Sequence, residues 1–364
     1  MYEDGLRIEP ECYYPIIPMV LVNGAEGIGT GFSTKCPQFN PVDIINNIIN
    51  MIDNKDYITM TPWWSLFEGT VEKIDDQNYI NKGNYEIIDD KVIIRELPVG
   101  EWTSNYKEYL EKLLDQESNK KNKSNINLLN YVDNNTDKRI YFELEFNKSF
   151  LSNISNVEKL LKLEKNVKLG NIHLYNKNGT IKKYKDIKDI VDEFFGIRLE
   201  VYQKRKDFIM SKLKNELDII SYKVKFILAI IDKELKINNK TKEYIEGKLE
   251  EKEFPKLSKS NTEESDKNYN YLLGMNLWSL SHEKVEELKN QHDEKETEYN
   301  NIKKQTPKTM WKLELEELLI TYKKWYQIKL DDVTDIEPSV SKSKKKTITK
   351  STKSTKKKVV SKIV

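Results

Sequence analysis

Between Gly24 and Gly31 the chain reads GAEGIGTG, placing four of its 13 glycines in eight residues around one bulky apolar side chain, Ile28. Glycine permits positive φ and lets a backbone come close to another surface. A loop this rich in glycine cradles phosphates when a strand precedes it and a helix follows at once. Here the stretch runs into FSTKCPQFNP, whose two prolines delay the helix, and no Gly-Lys-Ser/Thr follows. It is therefore neither a dinucleotide fingerprint nor a P-loop. Two readings remain: a glycine-rich corner with Ile28 in the core, or a backbone that closely approaches a partner.

Other chemistry-bearing residues are sparse. His173, His282 and His292 are far apart and fall in different predicted elements, His292 on a helical seam. Cys12 and Cys36 are too few for a disulfide framework or a zinc site, and they fit a reducing compartment. Asp89-Asp90 and Asp331-Asp332 read as solvated turns. No Ser/His/Asp or Cys/His arrangement is suggested, so no catalytic residue and no metal ligand is assigned.

The elements that must position the glycine stretch can be read from periodicity. IIPMVLV predicts a buried strand feeding the glycine turn. NPVDIINNIINMI predicts a helix with Asn40 as N-cap, Pro41 in the first turn, and Ile44, Ile45, Ile48, Ile49 and Ile52 on one face. GTVEKI, NYEII, KVIIREL and RIYFELEF predict strands; TSNYKEYLEKLLD and VEKLLKL predict helices. NIHLYNKNGTIKKY predicts a hairpin turning at Asn178-Gly179.

From Ile187 the pattern changes. Residues 187–235 hold no proline and one glycine, and a seam steps by three and four from Phe195 through Tyr202, Leu213, Ile220 and Ile227 to Ile231, with Lys206 filling one step. That spacing predicts a coiled-coil rod of roughly 65 Å. A second helix is predicted from Ser281, with Val285, Leu288, His292, Lys295, Tyr299 and Ile302 on its seam. Between the rods a polar loop leads to an apolar cluster of Tyr271, Leu272, Leu273, Met275, Leu277 and Trp278, and a last helix is predicted around 307–329. The fold class is α+β: a mixed region, then a long antiparallel coiled coil with a small helical knob.

Composition fits an elongated protein, with 33% charged and 38% apolar residues. Residues 339–364 carry ten lysines and no acid, so the remaining 338 carry about 2 − 10 = −8 of the net +2. This tail is expected to be disordered and suggests nucleic-acid binding or nuclear targeting. MYEDG lacks the apolar core of a signal peptide, and MVLV behind PIIP is too short to span a bilayer, so no membrane partner is expected.

The segment DGLRIEPECYYPIIPMVLVNGAEGIGTGFSTKCPQFNPVDIINNI closely resembles the eukaryotic-type type IIA DNA topoisomerases, a group that includes those of large DNA viruses. The likeness recurs in order through ELPVGEWTSNYKEYL, GTIKKYKDIKDIVDEFFGIRLEVYQKRKD, YNYLLGMNLWSL and EKETE, from about Tyr2 to about residue 326. It implies that 1–40 end a winged-helix DNA-gate region with the DNA-bending loop, and that 41–186 form the "tower". Residues 187–237 would be the ascending coiled-coil helix, 238–280 the exit-gate knob, 281–330 the returning and packing helices, and 331–364 the tail.

The resemblance also implies residue roles. Ile28 would slip between base pairs and kink the duplex, with Gly24, Gly27, Gly29 and Gly31 allowing the backbone to approach it. Trp102 would lie against DNA, and Lys162, Lys165, Lys168 and Asn171 would fall on a further DNA-contacting stretch. Phe32 stands where the family usually has Trp. Leu272, Leu273, Met275 and Trp278 would form the dimer gate.

The implied partners are double-stranded DNA, a second copy of the chain, and the ATPase and cleavage portion of the enzyme. The implied compartment is the nucleus or a viral DNA-replication compartment. The family's nucleophilic tyrosine would precede Met1, and Arg139-Ile140-Tyr141 is no substitute. Magnesium and ATP would serve the whole enzyme, and none is expected on this chain, which should be inactive alone. The rival expectation is a non-enzymatic DNA-binding and dimerisation protein built on the same scaffold.

Overall fold

Asn40 and Pro41 do what their chemistry suggests: the Asn40 carboxamide accepts from the Val42 amide at 2.9 Å, and a helix runs from Pro41 to Ile52. It belongs to a computed structural model that describes residues 2–3, 6–10, 12–114, 128–147, 156–257 and 267–334. Tyr2–Glu3 (β1) and Leu6–Arg7 (β2) form a short antiparallel pair. Next come α1 (Met19–Asn23), the hairpin β3 (Ala25–Gly29) and β4 (Phe32–Cys36), and α2 (Pro41–Ile52). Residues 19–23 were expected in a strand and are instead helical. The Leu21 amide turns back to the Pro18 carbonyl at 3.0 Å, and a short apolar run satisfies a buried helix turn as well as a strand.

Two antiparallel sheets follow. Strands β5 (Thr70–Lys73) and β6 (Asn78–Lys82) are completed by the later β11 (Glu164–Lys168), in the order β11-β6-β5. Strands β7 (Asn84–Ile88), β8 (Lys91–Glu96), β9 (Leu128–Asp133) and β10 (Phe142–Phe146) form the order β7-β8-β10-β9. Alternation puts Val92, Ile94, Phe142 and Leu144 on the inner face, where Tyr106, Leu110 and Leu113 of α3 (Thr103–Leu114) cover them. A short α4 (Val157–Leu160) leads into β11. The hairpin β12 (Ile172–Tyr175) and β13 (Ile181–Tyr184) forms as expected, with Gly179 at φ +74 in its turn.

Helix α5 spans Ile187–Ile231, 45 residues or about 68 Å. Asp186 caps it by accepting from the Asp189 amide at 2.8 Å. It ends six residues before the expected 237, at the Asp232 cap. The knob holds α6 (Lys242–Glu251) and α7 (Asn270–Leu273). Helix α8 (His282–Lys304) then returns antiparallel to α5: Val285 and Leu288 are buried against Ile220 and Ile227, and Lys295 pairs with Glu216. Lys206, the polar step in the seam, reaches the carbonyls of Lys303 at 3.2 Å and Gln305 at 2.5 Å. A cation there satisfies free carbonyls at the negative end of α8.

The last helix, α9, runs from Pro307 to Thr334, past the expected start of the tail at 331. Residues 335–364, most of the Lys-rich tail, lie outside the described residues. Trp311 of α9 is fully buried, its ring centroid 6.2, 5.2 and 5.8 Å from those of Phe194, Phe195 and Tyr202 of α5. Its indole N–H donates to the Ile16 carbonyl at 3.0 Å, tying the helix to the segment that enters the glycine hairpin. Trp311→Ala should cost about 3–5 kcal/mol of stability, as deletion of a buried tryptophan ring does. Urea unfolding followed by helical circular dichroism checks this, and a cost under about 1 kcal/mol would contradict the seating of α9.

Candidate nucleic-acid interface

The glycine stretch folds as a two-stranded hairpin with Ile28 near its tip. Ile28 pairs with Ser33 and Gly29 with Phe32, leaving Thr30-Gly31 as the turn. Ile28 is 94% exposed, which removes the reading of a core residue. Gly31 at φ +81 makes the turn, and Gly24 sits at φ +71, a conformation that side chains rarely adopt, where a Cβ would also come a tight 3.0 Å from the Cys36 carbonyl. Gly27 and Gly29 are different: a Cβ on Gly27 would meet nothing within 4 Å, and one on Gly29 would touch the Phe32 carbonyl at an ordinary 3.7 Å. Among the described residues, packing does not require glycine at the two positions flanking Ile28. Their bareness leaves space on the outside.

The hairpin is held from two sides. Cys36, at the end of β4, is buried, and burial pushes its thiol pKa up to about 12. On the other side lies the start of β12. The Asn171 carbonyl accepts from the Lys35 amide at 2.8 Å, and the Asn171 side-chain amide donates to the Ser33 hydroxyl at 2.8 Å. His173 is 2.9 Å from the Ser33 carbonyl through Nδ1, and its ring lies 5.8 Å from Phe32. Sequence reasoning assigned Asn171 to a partner, while the structure gives its side chain a partner inside the chain. His173 carried no role in the sequence. Its place after the buried Ile172 in an alternating strand was the available clue.

Trp102 is 71% exposed and immediately precedes α3. The turn before it is held by Lys165 of β11, whose ammonium donates to the Gly100 carbonyl at 2.6 Å and lies 3.4 Å from Glu101. Lys162 is exposed and rests over the Tyr109 ring at 4.1 Å. Lys168 is exposed and forms no salt bridge among the described residues. Lys165 and Asn171 thus brace the Trp102 turn and the Ile28 hairpin from one stretch of chain. They lie six positions apart, at most about 20 Å.

The hairpin's support continues into α5. Glu193 accepts from Lys182 of β13 at 2.6 Å. The bond to Lys182, more than a second one to Tyr184, holds the Glu193 carboxyl below its usual range against desolvation.

The gate cluster divides. Tyr271 and Leu272 are buried in the knob's own core with Phe226, Leu249, Phe254 and Tyr269. Leu272, expected in the dimer gate, packs inside the knob, because α6 and the chain after it close over the end of α5. Leu273 and Met275 are half-buried, Trp278 is 93% exposed, and the Leu277 side chain lies outside the described residues. On α8, His292, Asp293 and Glu296 bring one ligand atom each within 4.8 Å of one another on a largely exposed surface. Among the described residues no helix is long and apolar enough to cross a membrane.

An α+β block with an exposed hairpin, joined to a long antiparallel helix pair, is an architecture already seen in a solved structure. The crystal structure of the Plasmodium falciparum topoisomerase II DNA-binding, cleavage and re-ligation domain matches with a TM-score of 0.75 and 36% identity, over 91% of this chain and 47% of that one. The fold is that of a type II topoisomerase region.

Residues 1–318 match the family of DNA gyrase/topoisomerase IV A-subunits, and the chain belongs to that family. It is 36% identical to DNA topoisomerase 2 of Acanthamoeba polyphaga mimivirus over 95% of its length, and 35% identical to DNA topoisomerase 2 of Saccharomyces cerevisiae over 89%. It spans 32% and 26% of those two proteins.

The two cysteines test the seating of the hairpin. Cys12 is exposed and Cys36 buried, with its thiol protonated at any ordinary pH. Iodoacetamide at pH 8 should alkylate Cys12 and leave Cys36 unmodified in the folded protein, read by peptide mass spectrometry. Equal labelling would contradict the placement of β4.

Proposed function

We propose that this chain is the DNA-bending and exit-gate portion of a type II DNA topoisomerase, acting on double-stranded DNA as a homodimer. It would work with the ATPase and cleavage portions of that enzyme, and the reading assigns magnesium and ATP to those portions. The observation that carries it is Ile28, 94% exposed between two glycines whose side-chain space is open. An isoleucine in that setting can enter a base step, and bare neighbours let the hairpin backbone follow it toward the phosphates. Unstacking a step costs a few kcal/mol, and the bend it allows wraps more protein surface. Trp102 and Lys168 supply further contacts, the lysine to a phosphate.

Phosphate contacts supply most of the sequence-independent affinity, and the wedge supplies the kink. Ile28→Ala should therefore halve the bend angle or more, measured by energy transfer across a short end-labelled duplex. Its dissociation constant should stay within about threefold of wild type. A mutant that bends DNA as the parent does would sink the wedge assignment.

The gate is assigned to the knob. Trp278 is a large exposed aromatic three positions after the half-buried Met275, and a two-fold axis lets such a side chain meet its own copy. Trp278→Ala should shift the dimer toward monomer by at least tenfold in sedimentation experiments, with helical circular dichroism unchanged, as expected of an interface tryptophan. Leu272 is unsuitable for this test because its side chain supports the knob itself. A wild-type chain that is monomeric at micromolar concentration would reject the gate.

A further inference from the structure

We infer that His173 is a positioning residue for the Ile28 wedge. Its Nδ1–H fixes the hairpin at the angle needed to kink DNA, an inference that rests on the wedge reading above. Strand alternation decides which backbone groups of β4 are free. Across a two-residue turn the pair next to the turn, Gly29 and Phe32, exchanges ladder hydrogen bonds, and the following pair, Ile28 and Ser33, does not. The amide and carbonyl of Ser33 therefore point away from β3, toward the free edge of β4. Those of Lys35 do the same.

A third strand would normally meet these groups. Here β12 meets them with a mixture of side chain and backbone. The Asn171 carbonyl takes the Lys35 amide at 2.8 Å, the His173 amide reaches the Thr34 hydroxyl at 3.3 Å, and the imidazole Nδ1 takes the Ser33 carbonyl at 2.9 Å. A carbonyl oxygen only accepts, so Nδ1 carries the proton in this contact. The imidazole thus replaces a missing backbone N–H at the one residue that faces Ile28 across the hairpin. The ring also lies 5.8 Å from Phe32, so the same side chain restrains the first residue after the turn.

This site is where the wedge would be loosest. An isolated two-stranded hairpin is marginal in water. The base of this one is anchored by buried Cys36, eight positions along the chain from Ile28. Between base and tip, the contacts across the free edge of β4 come from Asn171 and His173; both reach Ser33, which faces Ile28, Asn171 at the hydroxyl and His173 at the backbone carbonyl. Without the His173 bond the Ser33 carbonyl would turn to water and β4 would part from β12, opening the hairpin from its tip down toward Cys36. Binding through phosphates would survive, but insertion of Ile28 would not be held.

Two substitutions separate a hydrogen-bonding role from a space-filling one. His173→Asn keeps a donor on the atom bonded to Cγ, where Nδ1 now stands; His173→Leu keeps bulk and removes the donor. With the full chain on an end-labelled duplex, His173→Leu should lower the ratio of kinked to straight complex about fivefold, the worth of one ordinary hydrogen bond. Affinity should stay within about twofold, and His173→Asn should restore the kink. A His173→Leu protein that kinks DNA normally would overturn the proposal. So would an Asn variant as defective as the Leu one.

Ile28→Ala runs in the same assay. If that mutant kinks normally, the wedge reading fails. The clamp is then decided without DNA, by the rate at which iodoacetamide reaches Cys36. Loss of the clamp in His173→Leu should raise that rate about fivefold and His173→Asn should not. An unchanged rate in His173→Leu overturns the clamp, whatever the DNA result.

Discussion

A two-stranded hairpin cannot by itself hold a bare isoleucine out in water. It buries almost nothing, and its tip loses conformational entropy with little in return. Ile28 at 94% exposure is therefore sustained by contacts made elsewhere. The end of β4 is buried at Cys36, the free edge of β4 is met by Asn171 and His173, and the approach to β3 is fixed by the α1 turn and Gly24. Each contact serves a residue that touches no core.

The same logic links the hairpin to the distant helices. The Ile16 carbonyl, just ahead of α1, accepts from Trp311 of α9, and Lys312 of α9 pairs with Asp53 at the end of α2 at 2.7 Å. Tyr202 of α5 donates to Glu314, which also pairs with Arg205 at 2.6 Å. Helix α9 thus joins the start of the rod to both sides of the hairpin. Its far end is tied too, since Arg139 in the β9–β10 connection donates to the Val333 carbonyl at 3.0 Å. Arg139, which the sequence offered only as a poor neighbour for a tyrosine, acts at a helix C-terminus, where a cation is favoured.

Local chemistry was the most legible part of the chain. Asn40 with Pro41, Asp186 and Ser281 cap helices where capping rules place them, and the 3-4 seam ends at Ile231, the last residue of α5. Long-range choices were not legible. MVLVN could be strand or helix, and a proline carbonyl settled it. That Leu272 packs inside the knob was not legible because the residues that cover it, such as Phe226 and Leu249, are about 20 to 45 positions away. Lys165 and Asn171 were expected at a partner because the resemblance put them on a DNA-contacting stretch, whereas the groups that engage them, Gly100 and Ser33, are 65 and 138 positions away in the chain. Exposure of Ile28 was undecidable from composition, since an isoleucine among glycines fits a core corner equally well.

The most direct test of the wedge places a fluorescent adenine analogue, 2-aminopurine, at successive steps of a short duplex and adds the protein. Its emission rises when the base loses a stacked neighbour. The account predicts a rise confined to one or two adjacent steps with the wild-type chain, and bound but dark duplex with Ile28→Ala. A wild-type complex that binds tightly and leaves every step stacked would contradict it.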